Sequence, residues 1–455
     1  MRIYSESIKA MKFALFTITA FLTTNCTNED ITAPPPDVGF IEQPTVERIS
    51  SEALMDLVQE RTFNYFWEFA ESNSGLARET SKDNAIGGDG ARVVTTGGSG
   101  FGIASFPAAV ERGWITRSES IERMQKILNF LENCETYHGA FSHWYLGDSG
   151  VTRDFSPLDD GADIVETAFL LEGLLIYKQY MSVNDPEELD IRNRITALYD
   201  NVEWSFFERG QNVLTWHWSP DNEFAIDLQI QGWNEALLVY VLAAGSNTFP
   251  ITRETYENGW ARNGQMVNGN TYVGTMLPLG VDFGGPLFYS HYSFIGLDPR
   301  NLSDQYANYL EQNIAHSLIN YEYCRNNPKD FLGYGGDSWG LTASNDYNGY
   351  AVHDPLNDIG VITPTAALSS FPYTPDKSMA AMEYFYYNLN DRLWGQYGFY
   401  DAFSEEFNYF DDGYLAIDQG PIVAMIENHR TQLLWNLFMQ DEQVQKGLDV
   451  LGFIY

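Results

Sequence analysis

Basic residues are scarce in this chain of 455 residues, in which 26 Lys and Arg stand against 62 Asp and Glu, a formal net charge of −36. A negative field of this size repels nucleic acids and anionic membrane surfaces. It also argues against an acidic polysaccharide as substrate, because a polyanion requires a basic groove. The hydrophobic content of 44% supports a large packed core, so the charge does not indicate disorder.

Cysteine is nearly absent as well. The chain contains only Cys26, Cys134 and Cys324, and no two of them have the CxxC spacing. A chain of this length needs no disulfide to stabilise its core. We therefore expect Cys134 and Cys324 to be buried free thiols.

The motifs of several enzyme classes are missing. The seven histidines are scattered, and none forms an HExxH or similar ligand pair, so we expect no metal and no cofactor. There is neither a GxSxG elbow nor a phosphate-binding P-loop. Residues 96–102 are rich in glycine but follow no clear βα unit. We interpret them as a flexible or substrate-facing loop rather than a dinucleotide site.

The N-terminus has the pattern of a targeting segment. Lys9 and Lys12 precede an apolar run, 13–22, that is too short to span a bilayer as a structural helix. The run leads to Cys26, which resembles the lipidated cysteine of bacterial lipoprotein signals, although Asn25 departs from their usual small residue. The acidic residues that follow resemble the surface-export signal of Bacteroidetes lipoproteins.

These features predict three segments. Residues 1–26 would be the signal, with the start codon at Met1 or Met11, and Cys26 would carry the lipid. Residues 27–49 would form an acidic, proline-containing tether, and residues 50–455 a single catalytic domain. We expect a protein anchored in the outer membrane by its lipid alone, either periplasmic or surface-exposed.

Helical spacing of apolar residues dominates the rest of the chain. It predicts helices at 52–70, 118–134, 163–180, 187–207, 233–244, 303–325, 364–370, 376–388 and 419–439. Segments rich in glycine and aromatic residues precede several of these helices at intervals of about 50 to 75 residues. This spacing fits a repeated unit of one outer helix, one long loop and one inner helix. Such units predict an all-α toroid with short β-hairpin loops around a central pocket. A solenoid of helical repeats is the alternative.

Four carboxylates crowd the start of the apolar helix predicted at 163–180, namely Asp159, Asp160, Asp163 and Glu166. Carboxylates on a buried helix are costly unless they are paired, hydrogen-bonded or functional. Capping explains Asp159 or Asp160 well. It explains Asp163 and Glu166 less well, because we expect both to lie deeper in the helix.

Two other predicted inner helices each carry an acid close to aromatic residues. These acids are Glu235 and Asp418, and helix capping remains an alternative role for both. In a toroid these acids converge on one opening. Glycoside hydrolysis requires one protonated and one ionised carboxyl group. Burial and the proximity of like charges shift the pKa values of two carboxyl groups apart, so that one is protonated while the other is ionised. The pattern therefore favours a glycosidase.

Three motifs in order resemble one known family: DDGADIVETA at 159–168, QGWNEA at 231–236 and GGPLFYSHYSF at 284–294. Together they resemble the glucoamylase-like domain of glycoside hydrolase family 144, over nearly all of residues 50–455. The resemblance implies an (α/α)6 barrel and metal-independent, inverting hydrolysis of β-1,2-linked glucan, either endo-acting or releasing sophorose. It also implies that Asp163, Glu166 and Glu235 are essential acids and that Asp159 lies nearby.

The residues themselves suggest a division of roles. Glu235 stands beside Trp233 in the more apolar setting, so we expect it to be the general acid. Asp163 or Glu166 would stay ionised and position a water. Endo or exo action is left open, since it depends on whether loops such as 247–270 block one end of the groove.

Aromatic residues make up 15% of the chain, which indicates either a tyrosine-rich core or a groove of platforms for sugar rings. A further role is open for Arg92, which either binds sugar hydroxyls or forms a structural salt bridge. The residues that we expect to contact substrate are Asp159, Asp160, Arg92, Trp144, Trp216, Trp218, Trp233, His291, Tyr292, Trp339 and Asp418.

The expected partner is a neutral glucan or gluco-oligosaccharide, bound by a monomer. A non-catalytic surface glycan-binding lipoprotein is the main alternative, although it would not explain several carboxylates on buried helices. A polysaccharide lyase on a similar toroid is a second alternative. Lyases need cationic or metal sites for a uronate, and the few basic residues argue against one.

Overall fold

The computed structural model describes residues 47–455, which contain fifteen α-helices. They are α1 Ser51–Trp67, α2 Thr96–Ala104, α3 Phe106–Glu111, α4 Arg117–Leu131, α5 Ile164–Tyr180, α6 Pro186–Asp200, α7 Leu237–Gly245, α8 Arg253–Asn258, α9 Tyr309–Asn326, α10 Pro364–Leu368, α11 Pro375–Tyr387, α12 Asn390–Leu393, α13 Ala416–Arg430, α14 Leu433–Phe438 and α15 Glu442–Leu451. The described part of the chain is therefore mostly helical, as the apolar spacing predicts.

The strands in this region are short and form antiparallel sheets of two or three strands, most of them as hairpins. They are β1 Val93–Thr95, β2 Thr136–Tyr137, β3 Ala140–Phe141, β4 Trp144–Leu146, β5 Thr152–Arg153, β6 Ala162–Asp163, β7 His217–Trp218, β8 Thr271–Tyr272, β9 Thr275–Met276, β10 Ala343–Asp346, β11 Gly349–Val352, β12 Trp394–Gly395, β13 Gly398–Phe399, β14 Phe403–Ser404 and β15 Tyr409–Phe410. These strands shape the loops between helices.

Burial separates the helices into two sets. Every residue of α2 and α7 is buried, and so are nearly all residues of α5 and α13. By contrast, α4, α6 and α11 bury only one stripe of side chains. Helix α5 packs against α2, α6 and α7, and α2 also packs against α13. A helix that is apolar on all sides belongs to the interior, so α2, α5, α7 and α13 form an inner set.

The glycine-rich stretch is a helix, so the expectation of a loop was wrong. Its glycines allow two inner helices to approach closely. A Cβ atom on Gly100 would lie 2.1 Å from the carbonyl oxygen of Phe169, and one on Gly173 would lie 1.9 Å from the carbonyl oxygen of Gly100. No other residue type permits this contact between the backbones of α2 and α5.

The cap of α5 also differs from the expectation. Asp163 is the N-cap, and its Oδ1 accepts hydrogen bonds from the backbone N–H groups of Val165 at 2.9 Å and Glu166 at 3.0 Å. Capping by Asp159 or Asp160 is therefore wrong, because the helix begins one residue after Asp163. Glu166 lies in the first turn of α5, so the expectation that it lies deeper in the helix was also wrong.

Several boundaries needed correction. Glu235 lies in the loop before α7 rather than on a helix. The predicted helix 419–439 is interrupted after α13, and α14 follows it. The helix predicted at 187–207 ends at Asp200 and is followed by a 3-10 turn, Trp204–Glu208. Helix α15 was not predicted.

The two remaining cysteines are free thiols, as expected. Cys324 is buried, whereas Cys134 is partly exposed. Within residues 47–455 no helix has the length and apolarity needed to cross a membrane. The predicted signal, Cys26 and nearly all of the tether lie outside the described residues.

Candidate active site

A cavity of about 510 Å³ opens where the starts of α2, α5, α7 and α13 come together. Its lining includes Thr95, Glu166, Glu235 and Ile417, each at or just before the start of one of these helices. The volume lies in the range of about 300–1,000 Å³ that is usual for small-molecule sites. The inner helices thus direct their N-terminal ends at one opening.

A second cavity, of about 530 Å³, lies elsewhere on the surface. It is lined mainly by polar side chains of α4 and by the turn at 147–150. A single carboxylate on that helix, Glu122, faces it together with Phe130 and Cys134. Its two carboxylates, Glu122 and Asp148, are exposed and it has one aromatic ring, so this cavity is the weaker candidate for sugar chemistry.

Short strand pairings hold the loops around the first cavity. Thr95 of β1 pairs with Trp144 of β4, which fixes the tryptophan beside the start of α2. Asp163 of β6 pairs with His217 of β7, so this histidine reaches the cap of α5. A bridge between Thr80 and Leu415 holds the preceding residue, Glu79, near the start of α13.

Three carboxyl groups line the cavity: Glu79, Glu166 and Glu235. The Oε2 atom of Glu166 accepts a hydrogen bond of 2.7 Å from the backbone N–H of Gly97. Its Oε1 atom lies 3.9 Å from Nε2 of His143. One oxygen is therefore fixed on α2 while the other faces the imidazole and the cavity.

His143 lies at the centre of a charged cluster. Its Nδ1 atom is 3.1 Å from Oδ2 of Asp163 and 3.8 Å from Oδ2 of Asp159. The Nε2 atom of His217 approaches the same two oxygens, at 3.5 and 3.4 Å respectively. Both aspartates are more than nine-tenths buried.

The members of this cluster differ in their pKa values. Burial opposes the charge on His143, but Glu166, Asp163 and Asp159 outweigh it and raise the pKa of His143 to about 10. Burial likewise opposes ionisation of Asp163, yet the hydrogen bonds from His143 and His217 hold the pKa of Asp163 below its ordinary value. Burial and the neighbouring Asp163 raise the pKa of Asp159 to about 6. Asp163 is therefore the ionised anchor of the cluster.

Two of the three cavity glutamates, Glu166 and Glu235, have pKa values near neutral pH. Burial raises the pKa of Glu166 to about 7, against the opposing effect of His143. Burial, with a smaller contribution from the negative charge of Asp163, raises the pKa of Glu235 to about 7. Burial also raises the pKa of Glu79. Carboxyl groups with such pKa values can exchange protons with a substrate at neutral pH.

The structure brings together only some of the predicted site residues. Glu166, Glu235, Trp144, Trp216 and Tyr292 line the cavity. Asp159 and Asp163 stand behind His143, with no exposed part of Asp163. A direct role of Asp163 in positioning water therefore has no support in the geometry, because both of its oxygens are occupied.

Four of the predicted sugar contacts do not line this cavity. Trp233 packs among Trp260, Phe294 and Tyr309 in the core. Trp339 is fully buried, and its ring N–H donates to the carbonyl of Lys377. The other two, Trp218 and His291, are also absent from the lining. Trp218 packs edge-on against His138, and His291 is buried with Nε2 3.0 Å from the hydroxyl of Ser370.

The charged residues that were expected to contact substrate also lie outside the cavity lining. Arg92 is exposed and forms a two-point ion pair with Asp148, so it has the structural role that was one of its two alternatives. Asp160 does not line the cavity, and its Oδ1 is buried without a hydrogen-bond partner among the described residues. Asp418 is 1% exposed behind the cavity wall, beside Asp401.

Sequence reasoning missed several residues of the lining. Glu79 and Lys82 lie in a polar, extended segment with no periodic signal. Asn345 and Tyr350 belong to the hairpin of β10 and β11, which carries no acid-aromatic motif next to an apolar helix. Phe155, which stacks on the ring of His143 with centroids 4.1 Å apart, is a further example. Only the three-dimensional pairing of these loops identifies them.

The donor atoms of His143, Asp159 and Asp163 lie within 4.8 Å of one another, so these three residues form the set in residues 47–455 that could hold a metal ion. One imidazole and two carboxylates are ordinary ligands of divalent transition metals. The 3.1 Å contact between His143 and Asp163 is equally that of a charge-assisted hydrogen bond. The raised pKa of His143 is consistent with the second arrangement.

Comparison with known proteins gives a consistent result. Residues 227–442 match the family model described as glycoamylase. The chain is 45% identical over 432 residues to the exo β-1,2-glucooligosaccharide sophorohydrolase (non-reducing end) of Parabacteroides distasonis. The match covers 90% of this chain but only 59% of that relative's length.

Solved structures agree with this match. The endo-β-1,2-glucanase of Chitinophaga pinensis, solved with sophorotriose and glucose, is 47% identical with a TM-score of 0.87, over 89% of this chain and 99% of that one. The β-1,2-glucanase of Parabacteroides distasonis is 44% identical with a TM-score of 0.85, over 89% and 60% of the two chains. An endo-β-1,2-glucanase of Talaromyces funiculosus, at 13% identity and a TM-score of 0.59 over 88% and 92%, shares the fold.

Proposed function

We propose that this chain, which belongs to the glucoamylase-like family, glycoside hydrolase family 144, hydrolyses β-1,2-linked glucan or its oligosaccharides. Its relatives named above act on this class of glucan. The observation that carries the proposal is the presence of Glu166 and Glu235 in the lining of a single cavity, each with a pKa near neutral pH. Two such carboxyl groups are the minimum machinery of a glycosidase.

Glu235 is the proposed general acid. Burial keeps its carboxyl group protonated up to a pKa of about 7, so it can donate a proton to the glycosidic oxygen as the bond breaks. Glu166 is the proposed general base, which takes a proton from the water that attacks the anomeric carbon. The water then adds to the opposite face of the ring, and the product has the inverted configuration.

Each oxygen of Glu166 has a separate task in this proposal. The hydrogen bond from Gly97 holds Oε2, which leaves Oε1 for the proton of the water. Aromatic rings supply the remaining walls: Trp144 and Trp216 offer flat faces for sugar C–H groups, and the hydroxyl of Tyr292 offers a polar edge. Lys82 and Asn345 supply hydrogen-bond donors for sugar hydroxyls.

The test of this function is incubation of the purified protein with β-1,2-glucan and, separately, with other β-linked glucans. New reducing ends should form with the β-1,2-linked chain alone. Chromatography of the products then distinguishes the two modes of action, since a ladder of lengths indicates endo cleavage and sophorose alone indicates exo cleavage. If the chain bound the glucan without releasing reducing ends, a binding protein would be the better description.

An (α/α)6 barrel is the proposed architecture of residues 50–455. The support is the division into fully buried inner helices and one-sided outer helices, with four inner helices directed at one cavity. The endo-β-1,2-glucanase of Talaromyces funiculosus resembles this mostly helical chain, with a TM-score of 0.59 at 13% identity. A crystal structure of this domain, with the helices traced in order around the cavity, tests the proposal.

Anchoring in the outer membrane through lipid on Cys26 is a separate proposal, supported by the apolar run that precedes this cysteine and the acidic residues that follow it. Metabolic labelling with a radioactive fatty acid tests it directly. The unaltered chain should incorporate the label and fractionate with membranes, and Cys26→Ala should do neither. Labelling that is independent of Cys26 would contradict the proposal.

A further inference from the structure

We propose that His143 is a positioning residue, a partly buried cation in the cavity wall that keeps the proposed base Glu166 ionised without itself exchanging protons with substrate. The inference rests on the proposed function, because it assigns a role relative to Glu166. Its starting point is geometric. The imidazole has a carboxylate at each nitrogen, Asp163 at Nδ1 and Glu166 at Nε2, and Phe155 covers one face of the ring.

The carboxylates that surround His143 come from four different segments. Asp163 ends β6, Asp159 lies in the loop before it, Glu166 lies in the first turn of α5, and Glu79 lies on the segment bridged to the start of α13. Four acids around one ring make loss of its proton unfavourable. Other ionisable side chains also reach this group: His217 contacts Asp159 and Asp163. Asp160 lies close enough to contribute to the raised pKa of Asp159, and the charge of Asp163 contributes to the raised pKa of Glu235.

The contacts of His143 show why the cation is needed. Glu166 is buried beside Asp163 and near Glu79, and both of these acids disfavour its ionisation. The N–H of Gly97 and the charge of His143 oppose them. Since an opposite charge within a few ångströms lowers a carboxyl pKa by about 1–3 units, the imidazolium decides whether Glu166 is ionised at the working pH. The raised pKa of His143 supports this reading.

His138 provides a matched control on the same loop. It also forms a close pair with a glutamate, 2.8 Å from Nδ1 to Oε2 of Glu203, and it also stacks on a phenylalanine, Phe206. It does not line the cavity. The two histidines therefore resemble each other in local packing and differ in whether a catalytic carboxyl group is the neighbour.

The experiment measures kcat/KM on β-1,2-gluco-oligosaccharides from pH 4 to 9 for the wild type, His143→Asn and His138→Asn. In His143→Asn the acid limb should move upward by about one pH unit or more, because Glu166 then ionises only at higher pH. In His138→Asn the profile should keep its wild-type position. An acid limb that does not move in His143→Asn overturns the proposal while leaving the hydrolytic function intact.

A second variant tests the sign of the effect and guards against misfolding. Glu79→Gln removes a negative charge that raises the pKa of Glu166 and leaves the imidazolium in place, so its acid limb should move downward. General damage to the site would shift both variants in the same direction, and that outcome also overturns the proposal. A wild-type enzyme inactivated by a chelator and restored by Zn²⁺ would make His143 a metal ligand, which contradicts its role as a cation.

Discussion

Two buried helices, α5 and α13, begin at the same cavity with an acid in the first turn, but the two acids have opposite surroundings. Glu166 on α5 accepts a backbone hydrogen bond from Gly97 and faces the imidazole of His143. Within residues 47–455 no backbone N–H and no cation contacts Asp418 on α13, whose buried neighbours are Asp401 and the hydroxyl of Tyr292. Burial and Asp401 raise the pKa of Asp418 well above its ordinary value.

The difference shows that an acid at the start of an apolar helix has no fixed role. The segments that pack against the helix start supply donors and a cation in one case and a second carboxyl group in the other. Glu166 is thereby able to ionise near neutral pH, whereas burial and Asp401 keep the pKa of Asp418 well above its ordinary value. The same sequence pattern therefore yields a candidate base on α5 and a carboxyl group that is harder to ionise on α13.

The largest expected effect is a difference in activity between a variant of Glu166 and a variant of Asp418. Glu166→Gln should lower kcat on β-1,2-glucan by about 10²–10⁴-fold, because the amide cannot accept the proton of the attacking water. Asp418→Asn should retain most of the activity, since an amide resembles a carboxyl group that is already protonated. Initial rates from a reducing-end assay measure both. Equal losses in the two variants would remove the distinction between the helix starts.

A smaller effect is expected from two glycines one turn apart on α2. A Cβ on Gly97 would lie 2.6 Å from Oε2 of Glu166, a side-chain atom that can turn away. Gly97→Ala should therefore lower kcat by about 10²-fold, the cost of a misplaced catalytic group, with little change in melting temperature. A Cβ on Gly100 would meet the backbone of Phe169, so Gly100→Ala should destabilise the fold by at least about 1–3 kcal/mol.

Kinetics and thermal melts on both glycine variants provide the comparison, each variant serving as the control for the other. The expected pattern is a stable, slow Gly97→Ala and an unstable Gly100→Ala. If Gly97→Ala melted early while its folded fraction kept full activity, the hydrogen bond to Glu166 would have only a structural role.

The smallest effect is on the pH dependence of stability. The folded-state pKa of Asp418 is raised, so its protonated form contributes stability that is lost as the pH rises above the unfolded value of about 4. Asp418→Asn lacks this loss and should gain stability relative to the wild type between pH 4 and 8. The folded-state pKa of Asp163 is lowered, so its contribution is present above about pH 4 and lost below it.

Asp163→Asn should consequently show a deficit in melting temperature that is full at neutral pH and shrinks as the pH falls below about 4. Asparagine still caps a helix well, so the deficit reports mainly the lost charge. Thermal melts of both variants at several pH values measure the two slopes. Slopes of the same sign would contradict the assignment of opposite charge states.

The features that could be predicted from sequence were those with a strong local signal. The long apolar run identified α5, although Glu166 lies in its first turn rather than deeper in the helix, as was expected. The cap was assigned wrongly because four neighbouring acids compete in sequence, and only the register of β6 with β7 selects Asp163. The glycine-rich helix α2 was missed because glycine has a low helix propensity, so the sequence suggested a loop. Glycine is required there because α2 packs closely on α5, and the sequence does not reveal this contact.

The cavity lining was harder to predict than the helices. Trp216 and Trp339 both occur in aromatic, loop-like segments, yet one lines the cavity and the other lies in the core. Sequence pattern does not distinguish them, because both are burial signals. Glu79 gave no signal at all, since its position depends on a bridge between Thr80 and Leu415, which are 335 residues apart (415 − 80).

The most direct test of the account uses a substrate whose leaving group needs no proton. An aryl β-glycoside of a β-1,2-gluco-oligosaccharide with a nitrophenol leaving group should be hydrolysed by Glu235→Gln at close to the wild-type rate, although this variant is nearly inactive on the natural glucan. Glu166→Gln should be inactive on both substrates, because the attacking water still requires a base. Failure of the activated substrate to rescue Glu235→Gln, or its rescue of Glu166→Gln, would contradict the proposed roles of the two carboxyl groups.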